Sequence, residues 1–360
     1  MDHFFDVGRM SAAQAQYEAQ KIAFAPIVFQ AVRVLRESGI LKLLQEERSG
    51  MTAEAIAEKL SMTPYAVTVL LESGFSARVV SKKDELFSLT KIGYFLLNDT
   101  MTRINMDYNH YVNYLGLYEL DTAIASGEPT GLKVFGKWKT IYPGLTSLPP
   151  KAKKAWFDFD HFYSDSAFEA ALTIIANDKR RHLLDIGGNT GRFSLLCAKI
   201  LPACHVTIVD LPQQLDVAAV AIEEAGLSKQ IDTYAADMLE SVTLLPTGYD
   251  AAWMSQFLDC FGEEDIVMIL SKIADTIDDD GKIYILEPMW DRQKYETSAF
   301  CLINTSPYFT AMANGKSKMF NLSELTRCVI KAGLVISEIH DEVGFCHSLI
   351  VCEKKRKGNK

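Results

Sequence analysis

The sequence predicts an α/β protein: an open, mostly parallel sheet with helices on both faces and an antiparallel edge hairpin, preceded by a mainly helical winged-helix unit. Three observations carry this. From about residue 180, the apolar runs HLLDI, HVTIVD, YDAAWMS, KIYILEP, LVISEIHD and HSLIVCEK alternate with helical segments, the texture of a sheet with crossover helices. The last two runs are separated only by EVGFC, too short for a crossover and suited to a hairpin. Residues before about 105 read instead as helices followed by one strand–turn–strand.

The 360 residues leave room for two or three domains at about 100–200 residues each. The divisions expected are 1–105, a winged-helix dimerisation unit; 106–178, an aromatic helical connector roofing a pocket; and 179–360, a ligand-binding sheet. Hydrophobic residues at 48% and charged residues at 23% exclude extensive disorder. No apolar run approaches the roughly 20 residues of a membrane span. MDHFFDVGRM has no basic-then-apolar block, so no secretory leader is expected. Seven cysteines without a CxxC pair read as reduced thiols, giving an expected cytoplasmic location and no metal site. A net charge of −9, from 46 acids against 37 bases, does not suit a nucleic-acid or membrane coat. The basic tail EKKRKGNK reads as a solvated end.

Within 1–105, Pro26 is placed to open a helix with Ile27, Val28, Ala31, Val32 and Leu35 on one face and Gly39 at its end. Thr52 caps TAEAIAEKL, and Thr63 with Pro64 starts PYAVTVLLESGF. ARVVSKKDELFSLT supplies the wing. A DNA-reading helix needs cations to displace counterions. The candidate, Pro64 to Gly74, has none and carries Glu72, so the unit reads as a homodimerisation module. In 106–178, YNHYVNYLGLYELDTAIASG predicts a helix ended by Gly127, and KAKKAWFDFDHFYSDSAFEAALTII a long aromatic one. Most of these aromatics read as core.

The chemistry concentrates in HLLDIGGNTGRFSLLCAKIL. A buried strand ends at Asp185, the turn Gly187-Gly188-Asn189-Thr190-Gly191 follows, and a helix starts near Arg192. This is the first crossover of a nucleotide-binding sheet. Glycines let a ligand approach the backbone and let the turn take positive φ, which Asn189 also tolerates. The stretch lacks the dinucleotide spacing GxGxxG. It matches DxGxGxG with Asn189 at the middle glycine, an arrangement in which Asp185 can meet an ammonium group. Asp210, 25 residues after Asp185 at the end of HVTIVD, stands where an acid accepts hydrogen bonds from ribose hydroxyls. The competing role for Asp210 is a helix cap before Pro212.

LLDIGGNTG, TIVDLP, AADML, FLDCFGEED and GKIYILEP, in this order, resemble the S-adenosylmethionine-dependent O-methyltransferases that carry an N-terminal winged-helix dimerisation domain, the plant caffeate and bacterial hydroxyneurosporene type. The resemblance covers nearly the whole chain and implies a Rossmann-like methyltransferase sheet, S-adenosylmethionine as cofactor, a small-molecule acceptor and a homodimer. It implies that Asp185, Gly187, Gly188, Asn189 and Gly191 surround the methionine part of the cofactor, that Asp210 binds the ribose with Leu211 beside the adenine, that Asp237 and Met238 contact the adenine, and that Ser255 and Gln256 close over it. The acceptor it implies is most often an oxygen of an aromatic or polycyclic metabolite.

The chain departs from that family at the general base. Where the family has a histidine, Asp259 follows Leu258, and Cys260 and Phe261 replace the next two residues. Glu287 in YILEPMW keeps one base-orienting glutamate, while Ser317 takes the place of the second. An ordinary Asp (pKa about 3.9) is a weaker base than an ordinary His (about 6.5). Burial, or the carboxylate of Glu287, would narrow the gap. Asp259 and Glu287 are therefore the candidate catalytic residues. A helix N-cap is an equal alternative for Asp259, packing is the simpler role for Cys260, and His161 in WFDFDHFYSD is a candidate to supply a base from the roof. The rival functions are a cofactor-binding family member with altered chemistry, such as decarboxylation, and a ligand-sensing winged-helix regulator.

Overall fold

The computed structural model describes residues 4–6, 8, 10–240 and 244–355. It divides into two compact units, Phe5–Asn109 and the chain from His110 onward. The end of the basic tail lies outside the described residues.

The first unit begins with α1 (Ala12–Glu37), started by a capping box: Gln14 N donates to Ser11 Oγ and Ser11 N donates to Gln14 Oε1. The expected start at Pro26 is thus corrected. The helix runs through Pro26, because the box supplies a start one end further out and an exposed stretch tolerates one missing hydrogen bond. Gly39, at φ +88°, ends one helix and opens another that sequence reading missed, α2 (Ile40–Glu46), whose Ile40, Leu41 and Leu44 are buried. Thr52 and Thr63 cap α3 (Ala53–Leu60) and α4 (Pro64–Ser76) through Ala55 N and Ala66 N, each at 3.2 Å. The wing is β1 (Val80–Lys83) antiparallel to β2 (Leu86–Leu89), followed by α5 (Lys91–Asn98) and α6 (Thr100–Tyr108). Leu35, Leu41, Ile56, Val67, Leu71 and Phe87 form the core of this unit.

In the second unit the expected helix over 108–127 is broken. A π-turn at Asn109–Asn113, a 3-10 turn at Gly116–Glu119 and α7 (Leu120–Ser126) replace it. Gly116 is the reason: its backbone lies against Gly131, and a Cβ there would meet Met312 Sδ at 1.8 Å. Gly127, at φ +69°, does end α7. The aromatic helix is α8 (Pro150–Asn177).

The sheet has the order β5-β4-β3-β6-β7-β9-β8. Its strands are β3 (His182–Ile186), β4 (His205–Asp210), β5 (Ile231–Ala235), β6 (Tyr249–Ser255), β7 (Ile277–Glu287), β8 (Leu334–Val343) and β9 (His347–Lys354). β5 to β7 pair in parallel, while β9 pairs antiparallel with both β7 and β8, the expected edge hairpin. β5 was missed because it is an edge strand with only Ile231 buried, which erases the apolar run. The connecting helices are α9 (Arg192–Ile200), α10 (Pro212–Glu224), α11 (Glu263–Thr276), α12 (Glu296–Tyr308) and α13 (Leu322–Lys331).

Alternate residues feed two cores. Ile186, Met254, Ile283 and Ile285 meet α11 and α13 on one face. Leu183, Trp253, Tyr284 and Leu286 meet α8 and α9 on the other, where Trp253 stacks on Phe193 at 4.1 Å between ring centroids. Trp253→Ala is expected to cost about 3–5 kcal/mol, read as a lower urea midpoint for this unit. Both faces being covered, the exposed rim at the carboxyl ends of the parallel strands is where ligands bind. Asp185, Asp210, Ser255 and Glu287 all stand at that rim. Among the described residues no helix is long and apolar enough to cross a membrane.

Candidate active site

The turn after β3 brings the first group together. Gly187 (φ +74°), Asn189 (φ +51°) and Gly191 (φ +80°) are left-handed. A Cβ on Gly187 would meet Phe257 Cδ2 at 2.1 Å, and one on Gly188 would meet Asp185 Oδ2 at 2.7 Å. The turn therefore needs its glycines to bring the β3 and β6 ends into contact. Asp185, 2% exposed, accepts the Ser194 hydroxyl at 2.5 Å. Burial pushes its carboxyl up to about 7, against the Ser194 hydrogen bond and with the help of the Asp210 charge.

Asp210 accepts Asn189 N at 2.8 Å on one oxygen and Leu211 N at 2.7 Å on the other. The cap of α10 is Leu211, so the alternative role of Asp210 as that cap is not what the structure places there. Burial raises Asp210 to about 6 against its two N–H donors. Each oxygen still has a lone pair to offer a hydroxyl. Beside it lies an open hollow of about 360 Å³ lined by Leu211, Pro212, Tyr234, Asp237, Glu240 and Leu244, among others. Asp237 is exposed and accepts Leu239 N at 2.9 Å. Met238 stands apart from this lining and packs in the core with Val209 and Ala252.

The residues fit a nucleoside carrying an amino-acid tail. Asn189 Oδ1 and Ser255 Oγ are buried at the rim without a hydrogen-bond partner among the described residues, polar atoms that a bound cofactor would satisfy. Gln256, at φ +48°, has its amide committed elsewhere: Oε1 pairs with His347 Nε2 at 3.1 Å. Burial lowers His347 to about 4, so the ring is neutral and its Nε2–H donates.

The second group follows β6. Leu258–Cys260 form a 3-10 turn, and the N-cap of α11 is Gly262. The cap role for Asp259 is thereby corrected, since it lies three positions before the cap. Instead Asp259 is buried, 5% exposed, and burial lifts it to about 7 against the Cys260 thiol that donates to Oδ1 at 3.5 Å. A carboxylate in this turn is thus as basic as an ordinary histidine. His161 behaves oppositely. Burial, with Arg192 adding, lowers it to about 4, and its Nε2 makes no hydrogen bond, 3.9 Å from Asp160 Oδ2. Of the two candidate bases, the carboxylate is the stronger.

Glu287, 1% exposed, holds this turn in place. Its Oε1 accepts Phe257 N at 3.0 Å and Leu258 N at 2.7 Å, and Oε2 has no partner. Burial, then the Asp259 charge, raises it well above the carboxylate range. Where a second glutamate was expected, Ser317 is buried beside Asn314, which sequence reading missed. Asn314 Nδ2 approaches Ser317 Oγ at 2.7 Å, Cys260 O at 2.9 Å and Tyr142 Oη at 3.1 Å. An amide thus fixes the far end of the Asp259 turn. The local signal was the pair Asn314-Gly315, an Asx-turn sequence, in which Asn314 Oδ1 accepts Lys316 N and Ser317 N.

Comparison with known proteins identifies the family. The Dimerisation2-like domain profile matches residues 16–87 and the O-methyltransferase domain profile residues 156–333. Demethylspheroidene O-methyltransferase of Cereibacter sphaeroides is 22% identical over 81% of this chain and 76% of its own. The mitomycin biosynthesis 6-O-methyltransferase of Streptomyces lavendulae is 23% identical over 81% and 83%. An O-methyltransferase of neocarzinostatin biosynthesis, solved with S-adenosylmethionine and 2-hydroxy-5-methyl naphthoic acid, superposes with a TM-score of 0.68 at 17% identity, over 91% of this chain and 96% of that one. Two matching profiles in the right order, a sheet of the same fold and a strand-end acid at each expected position converge: the chain belongs to the S-adenosylmethionine-dependent O-methyltransferases that carry an N-terminal dimerisation domain.

Proposed function

We propose that the protein methylates a hydroxyl oxygen of a small, neutral aromatic or polycyclic acceptor, with Asp259 receiving the acceptor's proton. The observation that carries this reading is a buried Asp259 raised to about 7 in a turn clamped from both ends, by Glu287 and by Asn314. When bound, S-adenosylmethionine supplies a methyl group on a positively charged sulfur, already reactive toward oxygen. Asp185 and the turn Gly187 to Gly191 would hold its methionine part, Asp210 its ribose, and Leu211 and Asp237 its adenine, with Ser255 at the rim between them. The chain's own task is then to orient the acceptor hydroxyl and take its proton. Glu287 fixes two N–H groups of the Asp259 turn and keeps that carboxylate at one position.

The acceptor's charge follows from the same residues. Among the described residues no Lys or Arg lies within 4.0 Å of Asp259, so a carboxylated acceptor would meet the uncompensated charge of that carboxylate when it ionises. The test is product formation, read by mass spectrometry, from hydroxyarenes and from the same ring systems bearing a carboxylate. Faster methylation of the neutral series is expected. Preference for the carboxylated series would overturn the acceptor assignment.

Homodimerisation through the first unit completes the proposal. Ile22 (77% exposed) and Ile27 (64%) on α1 and Tyr65 (79%) on α4 leave apolar surface open, the material of an obligate interface. Sedimentation velocity should give twice the chain mass of 40.2 kDa. Ile22→Glu with Ile27→Glu should shift the protein toward monomer; an unchanged mass would place the interface elsewhere.

A further inference from the structure

We propose that Asp160, on α8, is a further cofactor-binding residue: it stands beside the positively charged sulfur of the donor and makes the enzyme favour S-adenosylmethionine over the neutral S-adenosylhomocysteine left after transfer. This rests on the reading that the donor occupies the cleft at the glycine turn.

One hydrogen bond and one charge interaction place Asp160 there. Its Oδ2 lies 3.5 Å from Nδ2 of Asn189, the turn residue whose backbone N–H binds Asp210. Asp259 is near enough for its charge to raise Asp160. The methyl group must pass between the residues that hold the methionine part and the residue that takes the acceptor's proton. Asp160 touches one and feels the other, so the sulfur comes to it.

Among the described residues no Lys or Arg comes within 4.0 Å of this carboxylate. Arg192, the nearest basic side chain to act on it, is engaged by Asp165 at 2.6 Å. His161, next along the helix, is held neutral. Burial and the neighbouring acids lift Asp160 to about 7, the signature of a carboxylate whose counter-charge is missing. Oε2 of Glu287, buried and raised by the charge of Asp259, is a second polar group on this rim with no hydrogen-bond partner among the described residues. A sulfonium would supply positive charge beside a buried carboxylate that no Lys or Arg among the described residues reaches within 4.0 Å.

The preference also has a kinetic meaning. Transfer abolishes the sulfur's charge, so a carboxylate beside it binds donor better than product and favours release of the product. Asp160 is a binding residue in this scheme, and its chief effect is on the ratio of two affinities.

The experiment is calorimetric titration of the full-length protein with S-adenosylmethionine and, separately, S-adenosylhomocysteine, on wild type and Asp160→Asn. The ratio of the two dissociation constants should fall by about tenfold in favour of the product, as expected for loss of one nearby charge, while S-adenosylhomocysteine affinity changes less than twofold. That second number also reports folding. An unchanged ratio overturns the proposal. If Asp160→Asn binds neither ligand, Asp160→Glu decides: a wild-type ratio supports the charge role and a collapsed ratio overturns it. Failure of wild type to bind S-adenosylhomocysteine would instead sink the cofactor reading on which this depends.

Discussion

Asp259→Asn should lower kcat by about 10²–10⁴, the range general-base removal produces, with little change in donor affinity. The amide keeps the carboxylate's size and still accepts the Cys260 thiol contact, but it takes no proton at neutral pH. In wild type the active form is the carboxylate, so kcat should rise with pH and level off above about 7, where Asp259 titrates. The Asn variant should lack that limb.

A stability measurement separates this from damage to the fold. The folded-state value of Asp259 lies above the ordinary 3.8, so the folded protein holds this proton more tightly than the unfolded chain. The stability this confers is fully present below pH 3.8 and is lost as pH rises through about 7. Asp259→Asn removes that loss. At pH 8 the cofactor-free variant should therefore be more stable than wild type, by on the order of 1–2 kcal/mol. A dead but stabilised enzyme is what a buried, unneutralised base predicts. Equal kcat in both proteins, or a variant less stable at pH 8, would remove Asp259 from the mechanism.

What could be read from the sequence depended on whether a feature was local. Asp185, the glycine turn and Asp210 sit on one strand–turn–helix–strand segment, and spacing alone placed their backbones. The caps at Thr52 and Thr63 are equally local and form as the pattern says. Edge strand β5 and short helix α2 were lost because one buried residue, or two turns, leaves too little periodicity to register. Pro26 misled because a proline signal outweighed a Ser11–Gln14 capping box in an exposed, polar stretch. The surroundings of Asp259 were out of reach for a different reason. Asn314 and Glu287 meet its turn from two distant segments, and burial, which decides whether an Asp is a weak or an adequate base, belongs to the tertiary packing. The sequence showed that a histidine was missing; the burial of Asp259, visible only in the folded rim, is what supports a carboxylate as base in its place.

Asp210→Ala should abolish micromolar binding of S-adenosylhomocysteine, a loss of about 10²–10³ in affinity. Two effects add. The ribose hydroxyls lose charge-assisted hydrogen bonds worth about 1.5–3 kcal/mol each. The glycine turn also loses its anchor, because Asn189 N and Leu211 N both donate to this carboxylate, and a freed Asn189 at positive φ has no reason to stay there. Asp237→Ala is the contrast: that side chain is exposed and accepts Leu239 N within its own turn, so its loss should cost less than fivefold. Affinity in wild type should also weaken as pH falls through about 6, where Asp210 takes up a proton and gives up one of its acceptor oxygens. Calorimetric titration measures all three. Comparable losses for Asp210→Ala and Asp237→Ala would mean that the adenine hollow, and not the ribose carboxylate, carries the binding energy, and the division of labour along the rim would have to be redrawn from β5 inward.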